Sequence, residues 1–330
     1  MDFERILTTV AGELFAPTTA AYALAAIGLN IHFGLTGLLN FGQAGFMLLG
    51  AYGFAVSTIA GFPIWAALLV AVACSTVFAL ILGIPTLKLR GDYLAIVTIA
   101  AAEIVRIVGR STALTSVTGA SSGLRGDSYK ETFHALSPFG EGSSTIGPFT
   151  YSNSFSNSWW LRLVAWVVVA LACLLVWRLM RSPWGRVLKG IREDEDAVRS
   201  LGKNVYAYKM QALVLGGVLA AAGGVVYALP SAVNPGVYVT SLTFFVWTAL
   251  LLGGAATVFG PILGSVIFWV LQTFLSNVLP AMAQAGWLPG LNSIQAGTLR
   301  FILVGVALML LVIFMPQGLL GNRKELTFVR

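Results

Sequence analysis

Residues 28–52 read GLNIHFGLTGLLNFGQAGFMLLGAY, with no Asp, Glu, Lys or Arg in the run. A stretch this apolar and this long is a membrane segment rather than a surface helix of a soluble domain. Glycine recurs at Gly34, Gly37, Gly42, Gly45, Gly50 and Gly53, in alternating steps of three and five. Thr36, Asn40 and Gln43 lie among them. Glycines and polar side chains at this depth predict a broken or closely packed helix. Irregular backbone is tolerated in a membrane only where protein or a water-filled cavity covers it.

A second stretch has the same character: residues 251–265, LLGGAATVFGPILGS. Paired glycine-interrupted segments in opposite halves of a chain point to an inverted repeat lining a transport pathway. Asn40, Gly42, Gln43 and Gly45 are therefore expected at that pathway, near the contact with a second membrane subunit. Small residues can equally serve tight helix contact, as the Gly216, Ala220 and Gly224 stripe does. These two stretches touch four apolar runs, and five more appear outward from them. The nine expected spans are 18–33, 40–60, 63–84, 92–109, 159–178, 210–229, 241–259, 261–279 and 299–315. Pro63 and Pro261 fall at helix starts, where a missing N–H costs nothing.

The expected fold class is an all-α polytopic membrane protein of about nine transmembrane segments, with glycine-broken helices. Composition agrees. The 330 residues are 57% hydrophobic and 10% charged, against roughly 25% charge in soluble domains. The whole chain, 1–330, reads as one membrane permease domain. Its polar parts are an N-terminal amphipathic segment (1–17), a loop at 111–158, a loop at 179–209 and a tail at 316–330. The N-terminal segment has two acids before its first arginine and no basic start, unlike a signal peptide.

The net charge of +7 is not a nucleic-acid footprint, because the cations sit in loops between apolar runs. Thirteen of the 20 Lys and Arg lie in three places. Eight are in 178–209, two are Lys88 and Arg90, and three are Arg323, Lys324 and Arg330. Nine spans put all three places on one side, and the positive-inside rule makes that side the cytoplasm. The N-terminus and the 111–158 loop are then outside. That loop is rich in Ser, Thr, Gly and Asn, with Arg125 and Lys130 against Asp127, Glu131 and Glu141.

No GxxxxGK[ST] occurs, so the chain has no motif to cradle ATP phosphates. No Ser/His/Asp set or metal-ligand cluster is visible. Cys74 and Cys173 sit singly in apolar runs, and His32 and His134 are far apart. Ion-coupled carriers carry ionisable groups at the midplane. Here the candidates are Glu103 and Arg106, at i and i+3, which are expected to form an intramembrane ion pair.

The 182–209 loop is more than a linker. Ser182-Pro183 starts a helix. In REDEDAVRSLG, a helix is expected from Arg192 to Leu201. Glu193, Asp194, Glu195 and Asp196 crowd its first turn, Arg199 lies near its end, and Gly202 stops it. Ala197, Val198 and Leu201 form a narrow apolar strip. Four consecutive acids argue against an anionic lipid surface, so docking into a protein groove is expected.

At this point the sequence resembles the LivM branch of branched-chain amino acid ABC permeases. Residues 28–52 look like that family's first signature. GDYLAIVTIAAAEIVRIV (91–108), with SVTGASSGL (116–124) after it, resembles its second. WGRVLKGIREDEDAVRSLGKNVYAYKMQALVLGGVLAAAGGVVYA (184–228) is similar to its cytoplasmic loop and following span. LLLGGAATVFGPILGSVI (250–267) is similar to a further block. Where the family often reads TGG-x-NGL, this chain reads TGASSGL at 118–124.

The resemblance implies a subunit that imports branched-chain amino acids across a bacterial plasma membrane. It would bind no cofactor itself; ATP would be used by two cytoplasmic ATPase subunits. A LivH-like permease and an external substrate-binding protein would complete the assembly, and Arg192–Gly202 would be the coupling helix. Urea, short amides or another small solute is the alternative cargo. An ion-coupled carrier or a channel is the alternative class.

Overall fold

The structure is a computed structural model that describes residues 3–88, 91–139, 142–146, 149–153, 158–285, 287, 292–315 and 317–321. Arg90, Glu141, Arg323, Lys324 and Arg330 lie outside these, with the end of the 316–330 tail. The helices run α1 (Phe3–Glu13), α2 (Pro17–Leu29, continued by a π-turn at Asn30–Leu35), α3 (Gln43–Ile59), α4 (Ile64–Thr86) and α5 (Gly91–Gly109). The 111–158 loop holds α6 (Thr115–Thr118), α7 (Asp127–His134) and a hairpin of β1 (Gly142–Ile146) and β2 (Phe149–Asn153). Then come α8 (Trp159–Arg181), α9 (Pro183–Glu193), α10 (Glu195–Ser200), α11 (Val205–Ala228), α12 (Thr240–Gly253), α13 (Gly260–Gln284) and α14 (Ser293–Phe314).

Each of the nine expected segments holds one helix: α2 to α5, α8 and α11 to α14. Among the described residues, five helical stretches are long and apolar enough to cross a membrane: Ile6–Leu35, Ile64–Thr86, Trp159–Arg181, Val205–Ala228 and Gly260–Gln284. Two elements are shorter than expected, and both sit at the glycine-rich stretches. The 40–60 segment becomes helical only at Gln43. The 241–259 segment leaves its helix after Gly253. With 14 residues, α12 rises about 21 Å, less than the roughly 30 Å hydrocarbon thickness. The all-α expectation holds for the membrane part, and the hairpin at 142–153 is the addition to it.

The core is built on α11, which packs against α2, α3 and α4. Small residues let the backbones approach. A Cβ placed on Gly216 would lie 2.5 Å from Gly28 O and 2.2 Å from His32 Nε2, so only glycine fits there. Large side chains then fill the remaining space. Phe46, Met47 and Phe54 of α3 are fully buried, and Phe46 meets Phe78 of α4 edge-on at 4.8 Å. The apolar side chains of α4, α5, α8 and α14 stay exposed in numbers no water-facing surface carries, as a lipid-facing shell requires.

Loops collect at two ends. At the basic end, Arg192 reaches Gly34, and Asn30 reaches Ala256 and Thr257. There too Lys88 lies 5.9 Å over the Tyr206 ring, and Leu319 N donates to Leu252 O at 3.0 Å. At the opposite end, Leu124 N donates to Val233 O at 2.8 Å, and Tyr129 Oη to Ser231 O at 2.7 Å. The loops at 111–139 and 182–204 are therefore at opposite ends, as an alternating chain demands.

Candidate functional site

The two glycine-rich stretches meet. Each contains a break: residues 36–42 between the π-turn and α3, and residues 254–259 between α12 and α13. Asn30 ties them together. Its Oδ1 accepts from Ala256 N at 2.8 Å, and its Nδ2 donates to Thr257 O at 2.7 Å. Contact is so close that a Cβ on Gly34 would lie 2.5 Å from Ala256 N. Trp247 of α12 covers the first break: its ring stacks on Phe41 at 4.8 Å, and its Nε1 donates to Asn40 O at 3.1 Å.

A helix break frees backbone groups, and inside a membrane each must find a partner. Side chains supply them at the first break. Asn40 Oδ1 accepts from Gly42 N at 2.8 Å, Thr243 Oγ1 from Ala44 N at 2.9 Å, and Thr98 Oγ1 from Phe41 N at 3.0 Å. Asn40 Nδ2 donates to Gln43 Oε1 and to His32 Nδ1, both at 3.0 Å. His32 Nε2 lies 3.0 Å from Leu213 O. A carbonyl can only accept, so the imidazole is the neutral tautomer with its proton on Nε2. Gln43 Nε2 donates to Ala25 O at 2.8 Å.

These contacts account for the four expected pathway residues within the subunit. Asn40 and Gln43 are 0% exposed, and Gly42 and Gly45 are buried within the subunit. None of the four faces a free surface. Their polarity is consumed in holding the break, and the glycines admit α5: a Cβ on Gly42 would lie 2.6 Å from Thr98 O, and one on Gly45 2.9 Å from Ala102 Cβ. A leucine at Gly42 would therefore wedge α5 away rather than plug a channel.

The basic end also differs from the expected single helix over Arg192–Leu201. Asp194 is not in a first turn. Its backbone is extended (φ −153°, ψ 104°), and its carboxylate accepts from Asp196 N and Ala197 N, both at 3.0 Å. It caps α10 and separates it from α9, so Arg192 and Glu193 close the preceding helix. Ser182 caps α9, accepting from Gly185 N at 3.4 Å with Pro183 next. Glu195 pairs with Arg199 at 2.9 Å and with Lys209 at the start of α11, and Asp196 pairs with Arg199 at 2.9 Å. The apolar strip splits. Val198 is buried against the chain itself, whereas Ala197 is exposed and Leu201 is 77% exposed. Gly202 ends the helix with φ +74°.

Glu103 and Arg106 form the expected pair on α5, with Arg106 Nε donating to Glu103 Oε2 at 2.9 Å. Two open clefts lie at the basic end. One, of about 490 Å³, runs between Trp177, Arg181, Lys189 and Phe259. The other, of about 340 Å³, is bordered by Lys88, Glu195, Arg199 and Lys203. At the far end the TGASSGL segment is fastened down: Tyr52 Oη donates to Thr118 O at 3.0 Å, and Asn234 Nδ2 to Ser121 O at 3.1 Å. Sequence reasoning missed Asn30, Trp247 and the inward turn of Arg192. The signal for Asn30 was present, because an amide in a charge-free span needs a partner.

The fold and these contacts can be set beside known proteins. The family model of the branched-chain amino acid transport system permease component matches residues 14–315. The chain is similar to the high-affinity branched-chain amino acid transport system permease protein LivM of Salmonella typhimurium and of Escherichia coli. Each is 32% identical over 314 residues, covering 92% of this chain and 69% of the relative. A solved structure, PsaBC from Streptococcus pneumoniae in complex with Fab, aligns over 92% of this chain and 91% of its own at 16% identity and TM-score 0.42. That score adds nothing to the assignment. With a match over nearly its whole length and a helical bundle suited to a bilayer, the chain belongs to the family of permease components of branched-chain amino acid transport systems.

Proposed function

We propose that the chain is the translocating subunit of an ATP-driven importer of branched-chain amino acids in a bacterial inner membrane. Its basic end is cytoplasmic and its N-terminus external. Separate ATPase subunits hydrolyse ATP, a homologous LivH-like permease completes the channel, and an external binding protein delivers substrate. Family membership and the two LivM relatives support the cargo.

One observation carries the docking part of this reading: α10 is a short helix built to be rigid and to project. Asp194 caps its start, Glu195 ties it to α11, Val198 anchors it, and Ala197 and Leu201 point outward. A rigid lever passes on displacement that a floppy loop absorbs. Ala197→Arg would bury an unpartnered charge in the contact. Co-purification of the ATPases and substrate-stimulated ATP hydrolysis in reconstituted membranes should fall about tenfold, equivalent to about 1.4 kcal/mol. Wild-type values for both would remove α10 from the contact.

Orientation has its own test. Ser200 is exposed on α10. In a chain lacking Cys74 and Cys173, Ser200→Cys should resist an impermeant maleimide on intact cells and react once they are opened. Labelling from outside would invert the topology.

A further inference from the structure

Arg192 is the last basic residue of α9, and it behaves unlike its neighbours. Its side chain is 2% exposed, and its Nη2 lies 3.9 Å from the carboxylate of Glu193, whose own side chain is 74% exposed. The guanidinium turns inward and donates to the Gly34 carbonyl, in the π-turn before the first break. Gly37, in that break, has φ +74°, and a Cβ there would lie 3.3 Å from Arg192 Cγ. The break is thus seated directly on the arginine stem. From Gly34 the contact continues to Ala256, where a Cβ on Gly34 would come within 2.5 Å of the backbone nitrogen. Asn30 bonds the same segment at Ala256 and Thr257. A continuous path of contacts therefore runs from α10 through the Asp194 cap and Arg192 to both helix breaks.

Burying a guanidinium is costly even when it is hydrogen-bonded. An apolar side chain would fasten α9 without that cost. What an apolar side chain cannot do is grip a carbonyl in irregular backbone and follow it when it moves.

We infer that Arg192 is a positioning residue, which passes movement of α9 and α10 to the junction of the two broken helices and takes no part in the ATPase contact. This rests on the docking role proposed for α10. It assigns to Arg192 the step after docking: a shift of α10 pulls on Gly34, and Gly34 carries Ala256 with it.

The test uses the assembled transporter with both permeases, its ATPases and the loaded binding protein in proteoliposomes. Arg192→Met keeps length and packing but removes the donor and the buried charge. We expect the ATPases to co-purify in normal amount and the unfolding midpoint to stay close to that of the unmodified chain. Uptake should fall about tenfold while ATP is still hydrolysed, so that more ATP is used per substrate moved. Arg192→Lys, which restores a donor, should recover part of the uptake. Gly37→Ala, which pushes on Arg192 from the other side, should reproduce the loss. Wild-type uptake per ATP in Arg192→Met overturns the inference. So does loss of the ATPases in Arg192→Met, which would make Arg192 a docking residue and leave the reading of α10 standing. Should Arg192→Met fail to assemble, Gly37→Ala decides on the same ratio, and a wild-type value there overturns the inference. A failure of the docking reading would show separately, as retained ATPase in Ala197→Arg.

Discussion

The two helix breaks solve one problem by different means. Around the first break, residues 34–44, Gly37 N, Leu38 N and Asn40 N bond to backbone carbonyls, and the other freed groups are met by side chains: Asn40, Thr98, Thr243 and Arg192. At residues 254–259 backbone groups of the tail take part as well, beside the side chains of Asn30 and Thr257. Leu319 N and Leu320 N of the tail donate to Leu252 O and Gly253 O at 3.0 Å. Thr257 Oγ1 donates to Gly254 O and accepts from Gly260 N. Side-chain solutions need specific residues at specific places, so the first break should be sensitive to substitution. Backbone solutions need conformations, so the second should be sensitive to changes at Gly254 and Ala256, where φ is +111° and +63°. Asn30 is common to both, since its side chain on one break satisfies the backbone of the other.

Removing that common point should give the largest effect. Asn30→Leu keeps approximate volume but strands Ala256 N and Thr257 O. An unpaired buried backbone group costs about 1–3 kcal/mol, so the pair should cost about 4 kcal/mol. The detergent-solubilised protein should show a much lower unfolding midpoint. A loss under about 1 kcal/mol would mean that the breaks are stabilised independently, and the comparison would fail at its centre.

Next comes the contrast between the breaks. Asn40→Ala leaves Gly42 N, His32 Nδ1 and Gln43 Oε1 each without the partner seen here. Only Gly42 N is a fixed backbone group; the His32 and Gln43 side chains can reorient toward other partners, so the change should cost about 2–3 kcal/mol. Truncation before Gln317 removes two hydrogen bonds from the second break, but at a chain end where water can replace them, so about 1 kcal/mol is expected. Equal losses from the two changes, measured as shifts in unfolding midpoint, would erase the distinction between side-chain and backbone solutions.

Much of this was legible in the sequence. Apolar runs marked all nine segments and their glycines located both breaks, because hydropathy and helix-breaking are properties of short windows. Partners are not. Asn40 and Gln43 announced that something polar lay at that depth. Only the fold shows that it is His32, eight residues back, and Ala25, 18 residues back. An open polar pathway and a closed polar clasp have the same composition. The REDED run failed for a different reason. Acids favour both the cap and the first turn of a helix, so composition could not choose Asp194 as the break; its extended backbone did. Arg192 was hidden among eight loop cations that the positive-inside rule reads alike.

The smallest expected effect on stability is close to zero. Ala256 has φ +63°, a left-handed conformation that costs an alanine roughly 1 kcal/mol and a glycine nothing. Replacing it with glycine relieves that strain but gives the unfolded chain more freedom, a loss of about 0.4–1 kcal/mol in the other direction. The methyl group is also buried, at 2% exposure, and its removal forfeits a little packing. The three terms nearly cancel, so Ala256→Gly should change stability by about 0.5 kcal/mol or less. Transport tells more than stability here. If the strained turn at Ala256 is what keeps the second break responsive to Gly34, relaxing it should lower uptake per ATP while the unfolding midpoint barely moves. Unchanged uptake together with an unchanged midpoint would show that the second break is only a passive cap on α12, and that the first break alone carries the motion.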